Sequence, residues 1–437
     1  MVYFIFRITY IFLLYLLTPF ILLRLYWWRG RHAPLYRQRW RERFAYIHYR
    51  VPRGCIWVHV VSVGETIAAK PLIKKIQTQF PDTPLLITSM TPNGSKMVQS
   101  LWGDTVHHYY LPYDYPGCIA RFLNATQPAI AIIMETELWP NLLHGLWKNN
   151  IPVIIANARL SEKSFKHYHY FKAVTEIALP RIAKILVQYS DDAARFARLG
   201  TISDQVVVMG NMKFDMEIPS AVLDAAKTWR ASHTTGGARP VWIAASTHPA
   251  EEPLVLTACL AAKKAIPNVL CIWVPRHSER FDPVAVLCQT QGLHVARRSL
   301  NEAVGPDTDI YLGDTFGELM LWYACADVAF VGGSFSQTGG HNILEPAAVS
   351  LPVIVGPDMF NFSQITDLML KAHACCQLQH PDLLAETLIS LLHDPAKQKQ
   401  MGEHARAVFE AHQGALDRLW AQILPYLKNL HGTVDNN

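Results

Sequence analysis

One pattern constrains this chain more than any other. After Pro52, short β-branched or apolar runs alternate with stretches of helical spacing. Strands are expected at 56–61, 85–88, 129–134, 153–156 and 185–188, with helices between them at 67–79, 118–125 and 141–148. A second series of strands begins at 241–245 and continues through 269–274, 309–312, 328–331 and 353–355. Strands that alternate with helices of this length build βαβ units and parallel sheets. The expected fold class is therefore α/β, with two Rossmann-like domains. Residues 231–240 (ASHTTGGARP) are small, polar and Gly-rich and end in Pro, which predicts a linker between them. Two such domains would face a cleft. Ligands of open parallel sheets sit beyond the carboxyl ends of the strands, so functional residues should follow strands directly.

The amino terminus is of another kind. Residues 2–23 are almost wholly apolar, interrupted by Arg7 and by Thr18-Pro19. A helix of that length, at about 1.5 Å per residue, reaches across a hydrocarbon layer of roughly 30 Å. Arg7 lies near one end, where its long side chain can reach the interface. Tyr26, Trp27 and Trp28 then form an aromatic belt, and the arginines that follow predict a body on the cytoplasmic side. Residues 1–28 read as a membrane anchor, either spanning or lying in the interface. A cleaved leader fits less well, because no small-residue cleavage site follows the apolar run.

Charge supports this reading. The chain carries a formal +5 over 437 residues, yet seven arginines against one acid (Glu42) fall between Arg24 and Arg43. The rest is close to neutral. A nucleic-acid-binding enzyme would spread basic residues over a working face, so no nucleic-acid partner is expected. Residues 29–52 are instead a basic juxtamembrane segment suited to anionic headgroups. None of the eight cysteines forms a C-x-x-C pair, so they are expected to be reduced and structural. The 19 histidines lack metal-ligand spacing, and no metal or cofactor is expected.

Several segments that follow strands could carry chemistry. Val58-His59-Val60-Val61-Ser62-Val63-Gly64-Glu65 runs from strand through a Ser/Gly turn into a helix. Glu65 is there either a general base or an ordinary helix-start carboxylate favoured by the macrodipole. Glu135 and Glu137 follow the strand 129–134 at i, i+2, on one side if the strand continues, or else they too begin a helix. Lys213, in Gly210-Asn211-Met212-Lys213-Phe214-Asp215, either neutralises a leaving phosphate or is a plain surface lysine. In the second series, Trp273-Val274-Pro275-Arg276-His277 sets an Arg and a His after a strand, suited to gripping phosphate. Gly313-Asp314-Thr315-Phe316-Gly317-Glu318-Leu319 opens a helix. Gly332-Gly333-Ser334-Phe335 and Gly339-Gly340-His341-Asn342-Ile343-Leu344-Glu345-Pro346 follow another strand, and Glu345 could accept hydrogen bonds from ribose hydroxyls. Singly, each is as well explained by turn glycines and helix caps. Together, the segments of the second series, each after a strand of the same expected sheet, outline a site.

In their order WVHVVSVGE, METELWPN, GNMKFD, WVPRH and GGHNILEP, these segments resemble the 3-deoxy-D-manno-octulosonic acid (Kdo) transferases of lipopolysaccharide assembly. The resemblance runs from the anchor to about residue 420. It implies a GT-B arrangement and an inverting, metal-independent transfer of Kdo from CMP-Kdo to a lipid A precursor (lipid IVA) at the bacterial inner membrane. By motif, Glu65 would be the proton acceptor, with Glu135 and Lys213 stabilising the transition state. Pro275 and Arg276, the segment Phe316, Gly317 and Glu318, and Asn342, Ile343, Leu344 and Glu345 would hold CMP. Phe316 departs from the Met expected in much of the family. The implied division is an acceptor-side domain at 53–230, a CMP-sugar-binding domain at 241–405, and a C-terminal helix and polar tail at 406–437. Rival readings are another GT-B transferase or an epimerase acting on a UDP-sugar, and a non-catalytic membrane-tethered nucleotide-sugar sensor.

Overall fold

The computed structural model describes residues 2–29, 34–47, 49–234 and 238–432. Part of the basic segment (30–33 and 48), the middle of the expected linker (235–237) and the polar tail beyond 432 lie outside these residues. The chain divides into two compact units, Met1–Met216 with Gln413–Asn437, and Glu217–His412.

The first unit is built on seven parallel strands: β1 (Ile56–His59), β2 (Leu85–Ser89), β3 (His107–Tyr110), β4 (Ile130–Met134), β5 (Val153–Ala158), β6 (Lys184–Val187) and β7 (Val206–Val208). Their order across the sheet is β3-β2-β1-β4-β5-β6-β7. Helices cover both faces, so the central strands must be apolar on both sides instead of alternating. Trp57 therefore packs on one face, edge-on to Phe122 at 5.0 Å, while Ile56 and Val58 join Leu72 and Ile73 on the other.

The second unit repeats the design with β8 (Val241–Thr247), β9 (Leu270–Pro275), β10 (Val295–Arg297), β11 (Ile310–Leu312), β12 (Val328–Val331), β13 (Val353–Val355) and β14 (Cys375–Gln377). All are parallel, in the order β10-β11-β9-β8-β12-β13-β14.

The division falls at Met216, ahead of the segment 231–240. The helix Ser220–His233 belongs to the second unit because Trp229 packs against Tyr311 and Trp322, at 5.4 and 5.7 Å, and Arg230 pairs with Asp327 at 3.0 Å. The C-terminal helix Ala415–Gly432 returns to the first unit. It buries Leu419, Ile423 and Leu427 in that unit's core, and Asp417 meets Lys75 at 2.6 Å. Small polar composition marks a surface loop as readily as a linker, and apolar spacing alone names no partner for a helix.

Among the described residues, one helix is long and apolar enough to cross a membrane. This helix, Val2–Leu23, packs along the first unit. Arg7 Nε donates to Asn141 Oδ1 at 3.0 Å, Tyr10 donates to Asp114 at 3.1 Å, and Thr18 and Tyr115 share a hydroxyl hydrogen bond at 2.8 Å. The opposite face leaves Phe4, Phe12, Leu16 and Phe20 exposed. Within the basic segment, Arg39 and Arg43 are structural: Arg39 pairs with Glu42 at 2.7 Å, and both guanidinium groups lie over Tyr110. Arg37 and Arg41 remain exposed. All eight cysteines are free and seven are buried, as their apolar surroundings predict.

Candidate active site

In the first sheet, the chain leaves β1 toward β2 on one side, while β4 lies on the other. That reversal opens a crevice at the carboxyl ends of β1 and β4. Glu65 follows β1 and Glu135 follows β4, so topology alone delivers both carboxylates to this edge.

Ser62, extended at φ −127° and ψ 172°, caps the helix Val63–Gln79 and accepts the Glu65 amide at 3.4 Å. The Glu65 carboxylate folds back, accepting the Val61 N–H at 2.7 Å and the Ser62 hydroxyl at 3.2 Å. To this extent Glu65 is a helix-start residue, differing from a capping box in that its carboxylate takes the amide one residue before the cap. Its environment is not that of an exposed cap. Burial, then the like charges of Glu135 and Glu137, push its carboxyl up to about 8, against the pull of the Val61 amide and Ser62. An ordinary cap carboxylate is held ionised, whereas this one is poised near neutrality, as a general base requires. Gly94 keeps the turn tight, since a Cβ there would stand 3.1 Å from the Val61 carbonyl.

Glu135 takes a left-handed conformation, φ +58°, although it carries a side chain. Such residues cost on the order of 1–3 kcal/mol and cluster at functional sites. This turn ends the strand at Met134, so Glu135 and Glu137 do not share a strand face. Glu137 accepts the Trp139 indole N–H at 2.6 Å, and burial raises its carboxyl. Lys213 lies on a short turn after β7, its N–H capped by Asn211 Oδ1 at 3.0 Å. Burial lowers its ammonium, while Glu135 and Glu65 oppose the shift and Arg159 adds to it. The structure thus brings Glu65, Glu135 and Lys213 into one electrostatic neighbourhood. The sequence reading missed Arg159 and Asn157. Asn157, at φ +55°, accepts the Met212 N–H at 3.2 Å and so ties the lysine turn to β5. Their signal was the N-A-R run at the carboxyl end of an expected strand.

The second sheet reverses direction between β8 and β12. Arg276 follows β9, and its backbone N–H donates to the Thr247 carbonyl at 3.0 Å. Its exposed guanidinium opposes the burial-driven rise of Glu345 and depresses His248 and His341. Arg276 and Glu345 are therefore brought together. Asn342 donates to Glu345 at 3.1 Å and accepts the Leu344 N–H at 3.1 Å, while Ile343 and Leu344 are buried.

Phe316, Gly317 and Glu318 follow β11, which adjoins β9, and so leave the same edge of the sheet. Phe316 is 74% exposed, against Phe281 at 5.9 Å. The Glu318 carboxylate is held by Arg298 at 2.8 Å and by Thr315, and the Arg298 guanidinium lowers its pKa. What this segment offers a ligand is chiefly backbone.

Two further features escaped the sequence reading. Buried Glu251 accepts the backbone N–H groups of His248, Gly333, Ser334 and Phe335 at 2.8 to 3.0 Å, which fixes the glycine-rich loop. That loop passes so close to β8 that a Cβ on Gly332 would lie 2.7 Å from the Ser246 carbonyl. His248 and His341 face each other Nε2 to Nε2 at 2.8 Å, with rings stacked at 5.1 Å and His277 edge-on at 5.4 Å.

Comparison with known proteins agrees with this architecture. A family model described as 3-deoxy-D-manno-octulosonic-acid transferase (kdotransferase) matches residues 38–216. The 3-deoxy-D-manno-octulosonic acid transferase of Haemophilus influenzae is 40% identical over 404 residues, 91% of this chain and 93% of that protein. The Bordetella pertussis protein of the same description is 36% identical, over 90% and 93%. Among solved structures, a Rickettsia africae glycosyltransferase aligns with a TM-score of 0.55 at 12% identity, covering 88% of this chain and all of that one. A Neisseria meningitidis UDP-GlcNAc 2-epimerase aligns at 0.56 and 12%, covering 85% and 99%. These distant likenesses concern the fold alone, which is of the GT-B class. At 40% identity over nine-tenths of its length, the chain belongs to the 3-deoxy-D-manno-octulosonic acid transferases, a family of glycosyltransferase enzymes.

Proposed function

We propose that this enzyme transfers Kdo from CMP-Kdo to a phosphorylated lipid acceptor, the lipid A precursor, with inversion and without a metal. The observation that carries the reading is Glu65, a buried carboxyl raised to about 8 at the switch point of a parallel sheet, with Glu135 and Lys213 in the same field. Its carboxylate would accept the proton of a sugar hydroxyl as that oxygen attacks the anomeric carbon. Removing that proton as the bond forms yields an inverted product in one displacement. Glu135 would stabilise the positive charge that develops on the sugar. Lys213 and Arg276 would meet the negative charge on the departing phosphate, the task that a metal performs elsewhere. The first unit would be the acceptor side and the second the nucleotide side. There Pro275 and Arg276, the backbone of 316–318, and Asn342 to Glu345 would hold cytidylate.

The acceptor is amphiphilic, and the helix Val2–Leu23 supplies a matching anchor. Its contacts from Arg7 to Thr18 fasten roughly 16 Å of helix to the first unit. Polar partners along that length favour a helix lying in the inner-membrane interface over one that spans. Its apolar face would enter the cytoplasmic leaflet, while the exposed guanidinium groups of Arg37 and Arg41 would attract anionic headgroups.

The test is a donor panel of CMP-Kdo and UDP-sugars with a tetraacyl lipid A precursor, in the presence of EDTA, read by product mass and anomeric configuration. Addition of Kdo from CMP-Kdo alone, inverted and undiminished by EDTA, is expected. Transfer from a UDP-sugar, or loss of transfer in EDTA, would overturn the donor or the metal-free assignment respectively.

A further inference from the structure

His248, His277 and His341 leave three different loops at the carboxyl edge of the second sheet and meet beside Arg276. The His248 and His341 rings are parallel to within 2°, with Nε2 atoms 2.8 Å apart. Two ring nitrogens at that distance must share one hydrogen, one ring donating and the other accepting. A second proton on the pair would create two facing donors, so the pair holds either no charge or one.

We propose that the His248–His341 pair is the proton store of the donor site: it takes up a proton when a phosphate docks beside Arg276, and it gives that proton to the phosphate oxygen leaving the sugar. The inference rests on the donor reading above and adds a residue pair to it. The charged surroundings support the direction of transfer. Around the pair stand Arg276 and His277 from the loop after β9 and Glu251 from the segment after β8, and Arg276 in turn has Glu345 as its neighbour. Glu251 already spends its oxygens on four amides, and Glu345 is engaged by Asn342. Burial, followed by Arg276, holds His341 down at about 3, and burial also lowers His248. The unliganded pair is therefore neutral at pH 7. A phosphate brings roughly −1 to −2 of charge and reverses that field, which draws a proton from solvent. During transfer the bond from the anomeric carbon to the phosphate oxygen breaks, and its electron pair stays on oxygen. The stored proton then moves to that oxygen, while the acceptor hydroxyl's proton goes to Glu65.

The test is calorimetry of the full chain in detergent at pH 7, titrated with CMP or with cytidine in buffers of different ionisation enthalpy. CMP has a second phosphate pKa of about 6, so its own small proton exchange on binding a cationic site is a release, opposite in sign to the expected effect. Binding of CMP should show net proton uptake, cytidine none, and His248→Gln and His341→Gln should each reduce the uptake at least about twofold. Buffer-independent heats with CMP, equal uptake with cytidine, or unchanged uptake in both variants would overturn the proposal. If wild-type enzyme binds no CMP at all, the donor reading fails first and the proton store with it.

Discussion

In the first unit, the crevice beside β1 and β4 is furnished with carboxylates and one half-buried lysine. In the second, the crevice beside β8 and β12 is furnished with imidazoles and an exposed arginine. The two sheets share the ordering of their central strands, and in both the crevice opens where the strand order reverses. Topology therefore chooses the place and the loop residues choose the chemistry. In one unit burial and like charges raise a carboxyl toward neutrality. In the other, burial and a guanidinium keep imidazoles neutral. The first environment suits a base, and the second suits an anion.

That contrast breaks most readily at Glu65. Glu65→Gln keeps the shape and removes the proposed base, so turnover should fall about 10³-fold while CMP binding persists. The same variant should respond to pH in the opposite sense. The folded-state carboxyl is raised from 4.5 to about 8, so its contribution to stability is full below about 4.5 and is lost as pH rises through about 8. Glu65→Gln should therefore melt higher than wild type at pH 9, with the advantage shrinking toward pH 5. A passive helix cap would give neither the lost turnover nor the alkaline gain.

A smaller effect is expected in the second unit. Glu251→Gln replaces one acceptor oxygen by an NH2 group facing backbone N–H donors, at a cost of about 2 kcal/mol. Because the loop it fixes lies on the proposed nucleotide side, apparent donor KM should rise about tenfold with little change in kcat, and thermal melting should report the destabilisation. If kcat falls as steeply as for Glu65→Gln, the division of labour between the units is wrong.

Smallest is a shift without a large loss of fold. Glu135 is a like charge that raises Glu65, so Glu135→Gln should move the rising limb of the pH–rate profile to lower pH. An unmoved limb would uncouple the two carboxylates.

The central strands were legible in the sequence because a strand buried on both faces must be an apolar run. Val328–Val331 and Val353–Val355 match the expectation residue for residue. The four unforeseen strands, β3, β7, β10 and β14, are the edges of the two sheets. Their sequences, HHYY, VVV, VAR and CCQ, are short or mixed because an edge has one neighbour and less apolar surface to satisfy. Helix starts at Pro116 and Pro140 were set a residue or two late, since Pro in a first turn looks like a break. Arg276 could be named because it directly follows an expected strand, Glu65 because it opens the helix after one, and Lys213 as a lone lysine after the Gly210 turn, since β7 before it was not expected. Glu251 could not: its four amide partners come from a loop more than 80 residues away, a match that only the folded sheet makes. The terminal helix returning to the first unit was hidden for the same reason.

The most direct test of Glu65 as the base is the pH dependence of kcat/KM for transfer by the wild-type enzyme. A limb rising with an apparent pKa near 8, absent from the residual activity of Glu65→Gln, is the predicted result. A limb in the ordinary carboxylate range, or the same limb in Glu65→Gln, would contradict it.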